Sequence, residues 1–593
     1  MIRRQHVIDK HEAVEILEDL VRKGTISRRR MVQAMAGMGL SVAGAAAVGT
    51  AVQPRPVSAA QDTDLKLLTV SEEQQATWIK NFNPLLPVGQ SRWPAQAGIY
   101  EPMAIHSMFE GVVHPWLATE WSYSEDLLTL TFKLREGVQW SDGTPFTSAD
   151  VKFTFELLIA NEALPGSGAI RSTLPLVTSI EAPDDLTVSI TLSEVNTLTL
   201  YDFAEQMIVP KHIWENVEDP VTFLNDEGDP VGTGPFTVIA QFEAQYWELH
   251  KNPNYWQEGK PAFDGLRFPS YPTNDAANLA NVNGENDWGG NFIPDAANVF
   301  VAQDPEHFHF WFAESGDMTH LFMNTTTAPF DNVDVRKAIS MALDRELALE
   351  IGMYNYPFIA DSSGLTGGYG GFKVMDESTE GAWVKRDVEA ANALLDAAGY
   401  TLDGDVRVGP DGPMEYELNV VTGWSDWVSS VQIFSKNLEE IGVKATVTPL
   451  DFAAWFDRIQ KGEFQMSLGW SGQGPTPFNY YRNVMATSTV LPVGEVSAVN
   501  WHRFGLPEAD ELLTALGQTS ELEEQRVIVA QLQALYNEHA PGAPLWNGPM
   551  WGEYTTFRFE GFPNEENPWS ALPTWDNPER LRVLTALTPV QEA

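Results

Sequence analysis

The sequence predicts an α/β protein of several domains, and three observations carry that prediction. The chain has 593 residues, which at about 100 to 200 residues per domain makes roughly three or four domain-sized units. Apolar and polar residues alternate strictly at Leu128, Leu130, Phe132 and Leu134, and again at Leu186, Val188, Ile190 and Leu192, the period of a half-buried strand. Between Val428 and Leu468 the pattern runs helix, strand, helix, strand, the order of a parallel α/β layer.

The first sixty residues stand apart. They hold nine basic and five acidic residues; removing them leaves 28 and 76, a net of −48 against −44 for the whole chain. Ser27-Arg28-Arg29-Arg30-Met31-Val32 resembles the twin-arginine export motif, and an uncharged Gly/Ala-rich run follows to Val52. Small residues at Val57-Ser58-Ala59-Ala60 place cleavage after Ala59 or Ala60. Residues 1–60 are therefore read as a twin-arginine signal segment. The alternative is a membrane anchor, because the run has about the length of a span. With no cysteine, disulfides, thiol nucleophiles, Cys-ligated metals and an N-terminal lipid-anchored Cys are excluded. The acidic balance argues against nucleic acid and anionic membranes as partners, since both are bound through Lys and Arg.

Along the remainder, the two alternating strands flank a helix from Ala149 to about Ala160 with Ser148 as its expected N-cap. Asp334 precedes a helix with Val335, Ile339, Ala342 and Leu343 on one face, and Asp387 caps Val388 to Ala398, which Gly399 ends. Val428 to Glu440 reads as helix, Val443 to Val447 as strand, Phe452 to Lys461 as helix and Phe464 to Leu468 as strand. The Gly/Pro-rich stretches 228–235, 364–371 and 404–413 are expected to be loops.

Several blocks occur in a fixed order: Phe109-Glu110-Gly111-Val112-Val113, Leu117-Ala118-Thr119-Glu120-Trp121, Phe132 to Val138, and Trp140-Ser141-Asp142-Gly143-Thr144-Pro145-Phe146-Thr147-Ser148-Ala149-Asp150-Val151. Gly232-Thr233-Gly234-Pro235-Phe236, Lys251 to Trp256, Asn324 to Phe330 with Val335-Arg336-Lys337-Ala338, and Ala390 to Tyr400 follow. Together they resemble the family 5 extracellular solute-binding proteins, the peptide/nickel class that serves ABC importers. Individually the blocks read as turns and core, such as the Asp/Gly turn at 141–145.

The resemblance implies a two-lobed periplasmic-binding-protein type II fold with an additional inserted domain. Applied here, lobe I takes 61–105, 225–317 and 545–593, the inserted domain 106–224, and lobe II 318–544. It further implies a periplasmic monomer without cofactor that closes on a small-molecule ligand and presents it to a membrane permease.

In peptide-binding members a Gly-Trp-x-Ala-Asp-Tyr motif supplies an aspartate for the ligand's α-ammonium. Here the run is Gly469-Trp470-Ser471-Gly472-Gln473, so an amide stands where that aspartate would. An amide donates and accepts, which suits a hydroxyl better than an ammonium. Trp424, Trp427, Phe452 and Trp455 lie near it, and flat aromatic faces bury the apolar side of a sugar ring. Trp470, Gln473, Trp424 and Phe452 are thus the expected ligand residues, with Phe82 and Asn83, after the first strand, facing them from lobe I. A helical setting makes Trp427 and Trp455 read as core rather than as ligand platforms. The runs Trp470 to Tyr481, Trp551-Gly552-Glu553-Tyr554 and Gly561 to Trp569 resemble the oligosaccharide-binding, cellobiose-like branch of the family. A neutral β-linked di- or oligosaccharide is the expected ligand, an oligopeptide the alternative. Scattered histidines argue against nickel. No nucleophile elbow, Walker loop or His-Glu-x-x-His falls in the mature chain, so no catalytic residue is expected. A secreted glycoside hydrolase stays open only because 76 acids make facing carboxylate pairs unavoidable.

Overall fold

Alternation and capping resolve into three main sheets in a computed structural model that describes residues 65–593 except 73, 87–93, 169, 370, 375–379, 473, 520, 576–577 and 592–593. The signal segment, with its twin-arginine motif and cleavage positions, and Gln473 lie outside the described residues. A seven-stranded sheet has the spatial order Phe308–Phe310, Glu553–Thr555, Trp288–Gly289, Leu67–Ser71, Gly265–Pro269, Tyr246–Lys251 and Phe236–Phe242. A five-stranded sheet has the order Lys444–Leu450, Glu415–Val421, Met466–Gly472, Ala313–Met323 and Ala543–Met550. Its first three strands pair in parallel, as the helix–strand repeat requires, and the last two join antiparallel.

The alternating strands near 130 and 190 fall in a four-stranded antiparallel sheet, with order Ala118–Tyr123, Thr129–Leu134, Thr187–Leu192 and Val177–Asp184. The helix Ser148–Ala160 packs beside it. Its cap is Thr147 rather than Ser148: the Asp150 carboxylate accepts from the Thr147 N–H and completes a capping box. Asn332, not Asp334, caps the helix Val333–Ala342. Asp387 does cap Val388–Ala397, and Gly399 takes φ +89° beyond it. The stretch 404–413 is not a plain loop: Thr401–Asp403, Val406–Gly409 and Gly412–Pro413 form a small meander. Its outward Leu402 and Val408 give no polar alternation to read.

Two connections carry the chain between the seven- and five-stranded sheets. Phe308–Phe310 leads through Trp311 and Phe312 into Ala313–Met323, and Ala543–Met550 leads through Trp551 and Gly552 into Glu553–Thr555. The crossings run side by side, with the Trp311 N–H donating to the Gly552 carbonyl at 2.8 Å. Paired crossings of this kind let two layers turn about one short segment.

Candidate ligand cleft

Between the strand ends of these two sheets lies a cavity of about 750 Å³, its open mouth included. Topology puts it there: ligands of open α/β sheets sit beyond the carboxyl ends of the parallel strands. From the seven-stranded side, Gln74 follows Leu67–Ser71, and Gly290, Asn291 and Phe292 follow Trp288–Gly289. Asn274 opens the helix Asn274–Val282, and Trp575 comes from the C-terminal segment. From the five-stranded side come Trp424, Asp426 and Trp427 at the start of the helix Ser425–Glu439, Trp470 in its strand, Asp317 and Thr319, and Trp546 with Trp551.

The indoles form one wall. Trp424 meets Trp427 edge-on at 4.9 Å and Trp470 at 6.3 Å; behind Trp470 stand Trp455 at 5.3 Å and Phe456, stacked at 5.8 Å. Trp551 is braced by Phe312 and Phe292. The indole nitrogens of Trp424 and Trp546 are buried and have no protein acceptor, which leaves each donor unsatisfied at a cost.

The polar groups are amides, a hydroxyl and two carboxylates; no described residue lining the cavity is Lys, Arg or His. Asp426 is 4% exposed, and burial pushes its pKa up to about 6, against the Trp427 and Asp426 backbone N–H groups and the Asn274 amide. It sits in the first turn of its helix, where the positive end of the macrodipole favours a carboxylate. Asn274 Nδ2 donates to Asp426 Oδ1 and to Ser425 Oγ, each at 3.3 Å, and the Asn274 N–H donates to the Gly423 carbonyl at 3.0 Å. The start of a helix on one side thus touches the start of a helix on the other. Gly423 permits this approach: φ is +88° and a Cβ would fall 2.9 Å from the Pro272 carbonyl.

Of the residues singled out from the sequence, the cavity brings together Trp470, Trp424 and Trp427, the last against its core reading. Phe452 stands behind Trp424, ring centroids 5.7 Å apart, and Trp455 is core, its indole N–H donating to Ser467 Oγ at 3.1 Å. Phe82 and Asn83 are away from the cavity. Phe82 is fully buried against Phe242 and Trp247; Asn83 spends its amide on the Pro220 and Phe223 carbonyls and accepts from the Leu85 N–H. Among the C-terminal aromatics Trp551 lines the cavity, whereas Tyr554 packs on His309 and Phe562. Sequence reading missed Gln74, Asn274, Asn291, Asp317, Thr319, Asp426, Trp546 and Trp575. Asp426 alone carried a local signal, lying between Trp424 and Trp427. Among the described residues no three His, Asp or Glu converge to hold a metal ion.

The profile of the bacterial extracellular solute-binding proteins, family 5 (middle region), matches residues 112–490. The chain belongs to this family. It is 26% identical over 408 residues to the nickel-binding periplasmic protein of Escherichia coli (strain K12), covering 67% of this chain and 74% of that one. It is 27% identical over 517 residues to di/tripeptide-binding protein 2 of Pseudomonas aeruginosa (strain UCBPP-PA14), covering 82% and 91%. Its fold is similar to that of the mannohexaose-bound periplasmic oligopeptide-binding protein of Thermotoga maritima, with a TM-score of 0.81, 23% identity, and coverage of 89% and 100%. The family 5 chain described here is thus a periplasmic solute-binding protein of an ABC importer. It takes a small ligand and works with a membrane permease. Its α/β architecture is that of periplasmic binding proteins, and no helix among the described residues is long and apolar enough to cross a membrane.

Proposed function

We propose that the cleft captures a neutral, β-linked di- or oligosaccharide and that closure of the two sides delivers it to the permease without chemical conversion. The observation that carries this reading is the lining itself. An indole wall offers flat apolar faces, while Gln74, Asn274, Asn291 and Thr319 offer neutral donors and acceptors. Asp317 and Asp426 add strong acceptors for hydroxyls. A ligand carboxylate would meet these two acids with no described cation in the lining to pair it, which disfavours free uronates and the C-terminus of a short peptide. The mannohexaose held by the Thermotoga protein supports a fold of this kind accommodating a sugar chain.

On this reading Trp470 and Trp424 are the stacking platforms, and Gln473 is a hydroxyl partner. Lobe I, inserted domain and lobe II keep the boundaries given above, the first sixty residues are a cleaved twin-arginine signal, and the mature protein is a monomer without lipid anchor. One observation favours oligopeptide as a second reading: Asp426, buried and facing the cavity, could pair an α-ammonium. A thermal-shift screen separates them, because a ligand that binds only the folded form raises the midpoint. Neutral β-linked oligosaccharides should raise it and di- to pentapeptides should not; the reverse pattern overturns the oligosaccharide reading.

A further inference from the structure

The four-stranded sheet and its helices meet the two main sheets in different ways. With the seven-stranded sheet they share one apolar core: Leu130, Phe132, Phe203 and Ile190 belong to the same buried cluster as Leu68 and Trp247. The meeting with the five-stranded side is polar at its centre. Asp202, in the helix Leu200–Ala204, faces Arg482, in the helix Pro477–Met485, and each side chain is 7% exposed. The guanidinium donates to both carboxylate oxygens, at 2.6 and 3.4 Å, and Thr173 Oγ1 donates to the same carboxylate at 2.5 Å and holds it in place. Beside the pair, Thr197 Oγ1 donates to the Gly517 carbonyl at 3.4 Å and Leu198 packs on the core of the five-stranded side. Gly517 leaves room for Asn196, whose Oδ1 would lie 2.7 Å from a Cβ there.

The contrast has a mechanical consequence. A shared apolar core holds two layers in one arrangement, because parting them exposes the core to water. A charge pair and a few hydrogen bonds exchange their partners for water when they part, at a far smaller net cost. When the five-stranded side turns about the crossings at Trp311 and Gly552, the four-stranded sheet therefore stays with the seven-stranded one, and Arg482 moves off Asp202. The contact also bears on the cleft. Arg482 sits on the helix that follows the Trp470 strand, and its neighbour Asn483 donates through Nδ2 to the Gly472 carbonyl at that strand's end, at 3.3 Å.

We infer that the four-stranded sheet and its helices act as a clasp: the Asp202–Arg482 pair, with Asn196 and Thr197 on Gly517, forms as the cleft closes, parts as it opens, and sets the balance between the two arrangements before any ligand arrives. A ligand gripped from both sides is held fully by the closed arrangement alone, so the clasp raises the apparent affinity for whatever the cleft takes. This role is independent of the oligosaccharide reading.

The chain has no cysteine, so spin labels can be placed in pairs without background. Glu125→Cys, in the exposed loop between Ala118–Tyr123 and Thr129–Leu134, and Glu511→Cys, exposed on the helix Pro507–Gln518, report across the clasp. Glu125→Cys with Glu258→Cys, exposed beyond the strand Tyr246–Lys251, reports across the shared core. Pulsed electron spin resonance then gives the distances in the unliganded mature protein, with the clasp unaltered and with Asp202→Asn or Gly517→Leu. Asp202→Asn removes the charge; Gly517→Leu pushes Asn196 away and leaves every charge in place. Across the clasp, the ratio of long to short distances should rise about tenfold in each variant, the worth of a hydrogen bond to a charged group or of one overpacked contact. Across the shared core the distance should stay single and unchanged. An unchanged distribution across the clasp in whichever variants fold, or a shift across the shared core of the same size, overturns the clasp. Failure of both variants to fold makes the contact part of the folded core and overturns it as well.

Discussion

Replacing Trp470 by alanine removes an indole from the wall of the cleft. Its indole is half-buried and packs against Trp455, Phe456 and Trp501 at 5.3, 5.8 and 5.0 Å. Fully buried Trp→Ala changes cost about 3–5 kcal/mol, so this half-buried ring should cost about 2–3 kcal/mol of stability, which a domain of this kind survives folded. Its worth to the ligand comes from the exposed face. One sugar ring laid on an indole removes roughly 70 Å² of apolar surface from water, about 1.8 kcal/mol at roughly 25 cal/mol per Å², or a factor of about 20 in affinity. Trp470→Phe keeps a smaller platform and should lose about fivefold by the same area argument. Calorimetry with a β-linked oligosaccharide, alongside near-ultraviolet circular dichroism for folding, reads both effects. A folded Trp470→Ala protein whose affinity stays within twofold would refute the stacking platform.

Asp426 titrates near 6, so an ionised acceptor is lost below that pH, and oligosaccharide affinity should fall between pH 7.5 and 4.5. Asp426→Asn should flatten the profile, and an unchanged slope would point to Asp317 or another group. Burial raises Glu101 and Glu553 to about 7 and 8 from 4.5. Their contribution to stability is complete below the unfolded value and lost as pH rises through 7 to 8. His320 and His502, lowered to about 3, contribute above 6.5 and lose that contribution as pH falls. Melting temperature should therefore peak near pH 5 to 6.5, and a steady rise to pH 8.5 would contradict this. Arg482 and Asp202, each 7% exposed and 2.6 Å apart, tie the helix Pro477–Met485 to the segment after the four-stranded sheet. Arg482→Met should cost about 3–5 kcal/mol by stranding a buried carboxylate. Adding Asp202→Leu should recover much of it in urea unfolding, and additive losses would deny the coupling.

The fold was legible wherever one face of an element is buried. Leu130 and Phe132, or Val188 and Ile190, are core residues on a sheet whose other face is wet, and that contrast is what alternation encodes. The meander at 401–413 lacks such a contrast and was invisible. Within the cleft, Trp424 and Trp470 were readable because each lies where a parallel strand ends or nears its end, and that position faces the opening in any α/β sheet. Phe82 and Asn83 share the same description but turn into the core, a choice made by Phe242 and Trp247 far along the chain. Gln74, Asn291 and Asp317 could not be read at all: they converge only because the chain crosses twice between the sheets, and no local pattern records that. Asp426 was passed over because a helix N-terminus explains an aspartate without any ligand.

The most direct test of the central claim is calorimetry of the mature protein against three matched ligand sets: neutral β-linked oligosaccharides, tri- to pentapeptides, and nickel with free histidine. The account predicts saturable one-to-one binding, tightest for oligosaccharides, with a negative heat-capacity change from ring burial against the indole wall. Saturable binding of peptides or nickel with no heat from any oligosaccharide would contradict it.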